Sequence, residues 1–132
     1  AGVGIAGVIY DYDGSVYVSD EARMMARFKN YYFRLGNVNE NTYQEMFNGE
    51  KMHEIIASAC NGCLPGCSHC VYQPYCGADP VRNLSEQGDM IGFRPTNEMC
   101  KKTKAIIKYL FELIRLHDPE INRIFWSWIK PC

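Results

Sequence analysis

Five of the seven cysteines in this 132-residue chain lie in one short segment, Cys60-Asn-Gly-Cys63-Leu-Pro-Gly-Cys67-Ser-His-Cys70-Val-Tyr-Gln-Pro-Tyr-Cys76. A sixth, Cys100, stands just before a strongly amphipathic stretch. Thiols at this density are typical of metal ligands or disulfide partners rather than of core residues. Glycine and proline continue through residues 60–95, which predicts a long loop, and such a loop in a compact domain needs something else to order it.

The compartment and the ligand class follow from the same cysteines. A secreted disulfide framework typically has an even number of cysteines in a shorter, loop-rich chain, whereas this one has seven and long helical patterns. We therefore expect reduced thiols in a cytoplasmic protein, and hence a metal site. The net charge is −1 without blocks of like charge, which argues against binding to nucleic acid. No apolar run approaches the ~18 residues of a membrane span.

The remaining sequence predicts one domain over residues 1–132 with an α+β fold. Strands are expected at 3–12 and 15–19, joined as an N-terminal β-hairpin at Asp13-Gly14, a strong turn signal. Asp20 is expected to cap a short helix. Because the chain starts with alanine and opens directly into a strand, we also expect it to be a piece of a longer protein; the family resemblance described below implies that it is the C-terminal fragment.

Further helices are predicted on either side of the cysteine segment. Leu35-Gly36-Asn37-Val38 is expected to be a break, followed by a helix that Asn41 or Thr42 begins and Gly49 ends, and by another that leads to Cys60. Two C-terminal helices are predicted, one from residue 97 and one after Asp118-Pro119, with Trp126 and Trp128 used for helix packing.

Two readings of the cysteines involve the first four of the segment. Cys60, Cys63, Cys67 and Cys70 form two CxxC pairs that would suit a zinc-stabilised interaction module, although the pairs of structural zinc sites usually lie farther apart. Cys63-x3-Cys67-x2-Cys70 has the spacing of the catalytic motif of radical S-adenosylmethionine enzymes. A barrel of the usual size does not fit in the 62 residues that follow.

The favoured set is Cys67-x2-Cys70-x5-Cys76, with Cys100 twenty-four residues further on. Four thiolates from one loop and one helix start are ordinary ligands of an iron–sulfur cluster. A cluster with four thiolates is anionic, and the N-terminus of the helix near Cys100 offers N–H groups and a positive dipole end to an anion.

These residues resemble the core of the SPASM domain, an auxiliary iron–sulfur domain of radical S-adenosylmethionine enzymes that modify peptides and proteins. The hairpin Asp13-Gly14-Ser15-Val16-Tyr17 and the run Leu35-Gly36-Asn37-Val38 fit the same resemblance. The blocks Tyr75-Cys76-Gly77-Ala78-Asp79-Pro80 and Ser19-Asp20-Glu21-Ala22-Arg23-Met24 are most similar to the maturases of His-Xaa-Ser peptide systems. The resemblance covers roughly residues 5–116.

The departures from that family concern a single cluster. A full SPASM domain holds two clusters, and the ligands of the first would align near Ser19 and at Asn41 and Pro80, none of which is cysteine. The four positions of the second cluster are all present. The resemblance therefore implies one auxiliary [4Fe-4S] cluster on Cys67, Cys70, Cys76 and Cys100. Cys60 and Cys63 lie outside the pattern, and Cys132 is interpreted as a bystander.

The resemblance also implies a role and partners. The cluster would transfer an electron or position a ribosomally made peptide, while S-adenosylmethionine would bind a catalytic barrel domain of the same parent chain. The sequence has no Ser/His/Asp set, carboxylate pair or phosphate loop with a recognisable motif spacing, so no catalytic residue is assigned to this chain. Neither a nucleic acid nor a membrane is expected as a partner.

Overall fold

The computed structural model describes residues 2–129 and confirms the predicted α+β class, with a small antiparallel sheet at the N-terminal end and helices after it. The strands are β1 (Ile9–Tyr10), β2 (Ser15–Tyr17) and β3 (Arg34–Asn37). The helices are α1 (Asp20–Arg27), α2 (Tyr43–Phe47), α3 (Glu50–Ala59), α4 (Pro80–Gln87), α5 (Glu98–Arg115) and α6 (Pro119–Ile129). Cys132, the expected bystander, lies outside the described residues.

The sheet contains the predicted hairpin and one strand that was expected to be a break. Strand β2 pairs antiparallel with β1 and with β3, and the hairpin strands are shorter than expected. Gly14 turns the hairpin with a φ of 83°. Gly36 lies opposite Val16 in β3 because its backbone pairs with β2, and its missing side chain leaves room for Asn41 and Met46. Gly36 therefore marks a place where the Asn41 and Met46 side chains approach the backbone closely, and it does not end an element.

Side-chain caps define where the first two helices begin. The N-cap of α1 is Ser19, whose Oγ accepts a hydrogen bond from the Ala22 amide, so the prediction of Asp20 as the cap is wrong by one residue. Thr42 caps α2, as one of the two predicted alternatives, in a reciprocal capping box with Glu45. Gly49 does not end α2 but is the N-cap of α3.

Helix α4 interrupts the region that was predicted to be a continuous loop. Asp79 accepts a hydrogen bond from the Arg82 amide, Pro80 occupies the first turn and Gly88 ends the helix in the left-handed conformation. These are standard signals of a helix start and end. The density of glycine and proline predicts a loop here, but the local cap signals of Asp79, Pro80 and Gly88 outweigh it.

Two compact units divide the described residues, one up to Asn97 and one from Glu98. The core of the first unit joins the sheet to α1, α3 and α4, and its fully buried members include Val18, Phe33, Ile55 and Val81. Burial of such side chains contributes ~1.5–3 kcal/mol each. This core fixes the C-terminal end of α3 and the start of α4, between which the cysteine segment lies.

The second unit consists of α5 and α6, the two C-terminal helices predicted from the sequence. Asp118 caps α6 through the amides of Glu120 and Ile121. The prediction that both tryptophans serve helix packing is wrong: Trp126 and Trp128 are 63% and 70% exposed, although the Trp128 ring contacts Phe125 at a centroid distance of 5.2 Å. Among the described residues, no helix is both long and apolar enough to cross a bilayer.

The capping box of α2 makes folding stability depend on pH. Hydrogen bonds from the backbone amide and the hydroxyl of Thr42 lower the pKa of Glu45 below its usual value. The ionised carboxylate therefore stabilises the fold above the unfolded pKa of about 4.3, and this contribution is lost as pH falls through the folded pKa. Glu45→Gln should be less stable than wild type near neutral pH and should converge with it in acid, in urea unfolding followed from about pH 7 to about pH 3.

Glu40→Gln is the matched control, because Glu40 is exposed and its carboxylate makes no hydrogen bond among the described residues. It removes the same charge without touching the cap. An equal pH dependence of the two variants would contradict the assignment to the capping box.

Candidate metal centre

The cysteine loop, defined here as residues 60–79 between α3 and α4, is a chain of tight turns. The amides of Cys63, Cys67, Cys70 and Cys76 each donate to the carbonyl three residues earlier, at 2.9–3.2 Å. Short 3-10 turns at Asn61–Cys63 and Gln73–Tyr75 are the only regular structure that the described residues show within this loop. Four of these turns end on a cysteine, so the backbone geometry presents thiols at intervals along the loop.

Two buried side chains anchor the loop in the folded unit, and one hydrogen bond within the loop joins its two ends. Leu64 and Ala78 are buried, with 5% and 1% of their surface exposed. The Nδ2 atom of Asn61 donates to the carbonyl oxygen of Cys76 at 2.8 Å, which joins two residues that are 15 positions apart. The two ends of the loop are therefore held together by a hydrogen bond as well as by the core.

Exposure divides the cysteines into two groups. Cys60 and Cys63 are exposed, whereas Cys67, Cys70 and Cys76 are half-buried on the same loop. Cys100, the third residue of α5 in the second unit, is half-buried too. The half-buried group is the ligand set favoured from the sequence. The structure thus brings Cys67, Cys70 and Cys76 onto one loop and places Cys100 on a separate element.

No three His, Cys, Asp or Glu side chains within residues 2–129 are grouped so that they could hold one metal ion. A zinc site on Cys60, Cys63, Cys67 and Cys70 requires all four thiolates within ~2.3 Å of one ion, and the described residues do not show that arrangement. Cluster thiolates bind different irons and need not converge on one point. Both the zinc set and the cluster set stay predictions.

The chemistry of the residues present fits an anionic iron–sulfur cluster. Thiolates are the usual protein ligands of such clusters, and half-burial lowers the solvent exposure that otherwise shifts their potential. Arg94, outside the cysteine loop, is 8% exposed, and its Nε and Nη2 atoms have no hydrogen-bond partner among the described residues. A buried guanidinium in this state is costly unless an anion satisfies it.

Each position where a first-cluster ligand was expected carries a structural residue instead. Ser19 caps α1, and Pro80 occupies the first turn of α4 with its side chain buried. Asn41 accepts a hydrogen bond from the Asn37 amide through Oδ1 at 2.9 Å, which supports the end of β3. These three side chains serve helix caps and strand geometry. The prediction of a single cluster remains a prediction.

Comparison with known families supports iron–sulfur chemistry. The family model SPASM, an iron–sulfur cluster-binding domain, matches residues 7–71, slightly less than half of the chain. The matched stretch runs from the hairpin through Cys70, so Cys76 and Cys100 lie beyond it. Neither the curated proteins nor the solved structures include a match to this chain. The matched family binds iron–sulfur clusters, which agrees with the chemistry of the loop.

The structural role of Asn41 generates a prediction. Asn41→Ala removes the acceptor of the Asn37 amide and should lower the free energy of unfolding by about 1 kcal/mol. Asn39→Ala is the matched control, because the Asn39 side chain forms no hydrogen bond among the described residues. Urea unfolding of the full chain measures both. Equal losses in the two variants would contradict the assigned role of Asn41.

Proposed function

We propose that this chain is the auxiliary [4Fe-4S] domain of a radical S-adenosylmethionine enzyme that modifies a ribosomally made peptide. Its ligands are Cys67, Cys70, Cys76 and Cys100. The observation that carries the proposal is that two independent criteria, sequence spacing and solvent exposure, select the same four cysteines. The spacing pattern selects these four, and the same four are half-buried while Cys60 and Cys63 are exposed.

The roles of the chain's own residues follow from their positions. The loop turns present the thiolates, and the Asn61–Cys76 hydrogen bond keeps the ends of the loop together when the ligands are charged. A bound [4Fe-4S] cluster supplies one-electron transfer. Because all four ligands are cysteines, we assign electron transfer or peptide positioning rather than direct binding of substrate to the cluster.

The proposed partners are a catalytic barrel domain that binds S-adenosylmethionine and the peptide it modifies, in the reducing cytoplasm. The resemblance of two sequence blocks to maturases of His-Xaa-Ser peptide systems supports that subgroup. Exposed apolar side chains on α6 support an interaction with another domain, since large apolar patches mark such contacts. They are Ile124, Trp126, Trp128 and Ile129, all at least 40% exposed.

Single substitutions test the ligand set. After anaerobic reconstitution, Cys76→Ser and Cys100→Ser should each lose most of the bound iron and the visible sulfur-to-iron absorption, because serine replaces a thiolate ligand with a hydroxyl. Cys60→Ser and Cys63→Ser are matched controls from the same chain and should retain both. Iron analysis and absorption spectra of the folded chains provide the measurement.

The opposite pattern would support the zinc-stabilised interaction module. In that case Cys60→Ser and Cys63→Ser would lose one tightly bound zinc, while Cys76→Ser and Cys100→Ser would leave metal content unchanged. Cleavage of S-adenosylmethionine by the reconstituted chain would instead support the catalytic motif at Cys63, Cys67 and Cys70, and its absence would remove that reading.

A further inference from the structure

Cys60 and Cys63 form a pair of exposed thiols outside the proposed ligand set. Their Sγ atoms are hydrogen-bonded at 3.6 Å. The Cys63 amide donates to the Cys60 carbonyl at 3.0 Å, so the four residues 60–63 close a turn. The ends of such a turn are less than ~7 Å apart at Cα, which overlaps the range that disulfides require.

The surroundings of the pair allow the two sulfurs to approach each other. A disulfide has an S–S length of about 2.05 Å, so closure needs a movement of about 1.5 Å from the observed separation. Gly62, between the two cysteines, has open space around it: an added Cβ would meet no atom nearer than the Gln73 Nε2 at 3.8 Å. The exposed sulfurs are also accessible to small molecules in solution.

We propose that Cys60 and Cys63 form a reversible intramolecular disulfide by exchange with a small-molecule disulfide such as oxidised glutathione. One thiolate attacks the small disulfide, which releases one small thiol and leaves a mixed disulfide; the second protein thiolate displaces the other small thiol. One S–S bond breaks and one forms. Two electrons pass from the protein sulfurs to the small disulfide, and the two thiol protons end on the released thiols. This holds whether or not a cluster binds the other cysteines.

The hydrogen bond within the pair affects the reactivity of Cys63. The hydrogen bond with Cys60, together with the charge of that group, raises the pKa of Cys63. A raised pKa lowers the thiolate fraction at neutral pH, and the thiolate is the attacking form. Exchange that begins at Cys63 should therefore be faster in alkali than at neutral pH.

The sequence offers a direct way to detect the bond. Hydroxylamine cleaves Asn-Gly peptide bonds, and the chain has two, Asn48-Gly49 and Asn61-Gly62, the second between the paired cysteines. The fragment 49–61 contains Cys60 as its only cysteine. The purified full chain is equilibrated anaerobically in glutathione buffers of graded poise, its remaining thiols are alkylated, and the cleaved fragments are weighed by mass spectrometry before and after reduction.

The expected result is that fragment 49–61 stays joined to 62–132 under oxidising poise and separates on reduction. The ratio of joined to separate fragments should change about tenfold for each 30 mV of poise, as for any two-electron couple. Cys63→Ser should abolish the joined product and give a glutathione adduct on Cys60. Cys132→Ser, a matched control that removes a thiol of fragment 62–132 outside the proposed ligand set, should keep the joined product.

Three results would overturn the proposal. The first is persistence of the joined product in Cys63→Ser, which would show that Cys60 pairs with another cysteine. The second is a wild-type chain in which Cys60 carries only the glutathione adduct at every poise. The third is protection of both thiols from exchange by one zinc per chain, which would assign the pair to metal binding.

Discussion

The buried faces of α3 and α4 hold both ends of the cysteine loop, and the rest of the site depends on this constraint. Ile55 in α3 and Val81 in α4 lie in the same core, together with the sheet and α1. The loop between them has mainly local turns and little buried surface of its own. A loop of this kind is positioned by its anchors and ordered by what its thiols bind, which couples ligand binding to local folding.

The cysteine loop contains two groups of thiols that differ in solvent exposure. Half-buried cysteines are suited to hold a cluster away from water, where burial and nearby charge tune its potential. The exposed pair at its start is suited to exchange with small molecules in solution. The Asn61 side chain, located between the paired cysteines, bonds to the Cys76 carbonyl and so connects the two regions. One short segment thus carries two groups of cysteines with different exposure.

Local signals predicted much of the fold. The hairpin followed from Asp13-Gly14, and the last helix from Asp118-Pro119, because turn and cap chemistry act over a few residues. Strand β3 was missed because the space that Gly36 leaves for Asn41 and Met46 depends on tertiary packing. Helix α4 was missed although Asp79 and Gly88 carry ordinary cap signals. Spacing selected the ligand set, but the difference in exposure among the cysteines is visible only in the structure.

The most direct test of the central claim is the ratio of iron and acid-labile sulfide to protein in the anaerobically reconstituted wild-type chain. One cluster on four cysteines predicts about four irons and about four sulfides per chain, with a broad sulfur-to-iron absorption band. A chain that folds with one tightly bound zinc, or with no metal, and shows no visible band would contradict the assignment of Cys67, Cys70, Cys76 and Cys100 as cluster ligands.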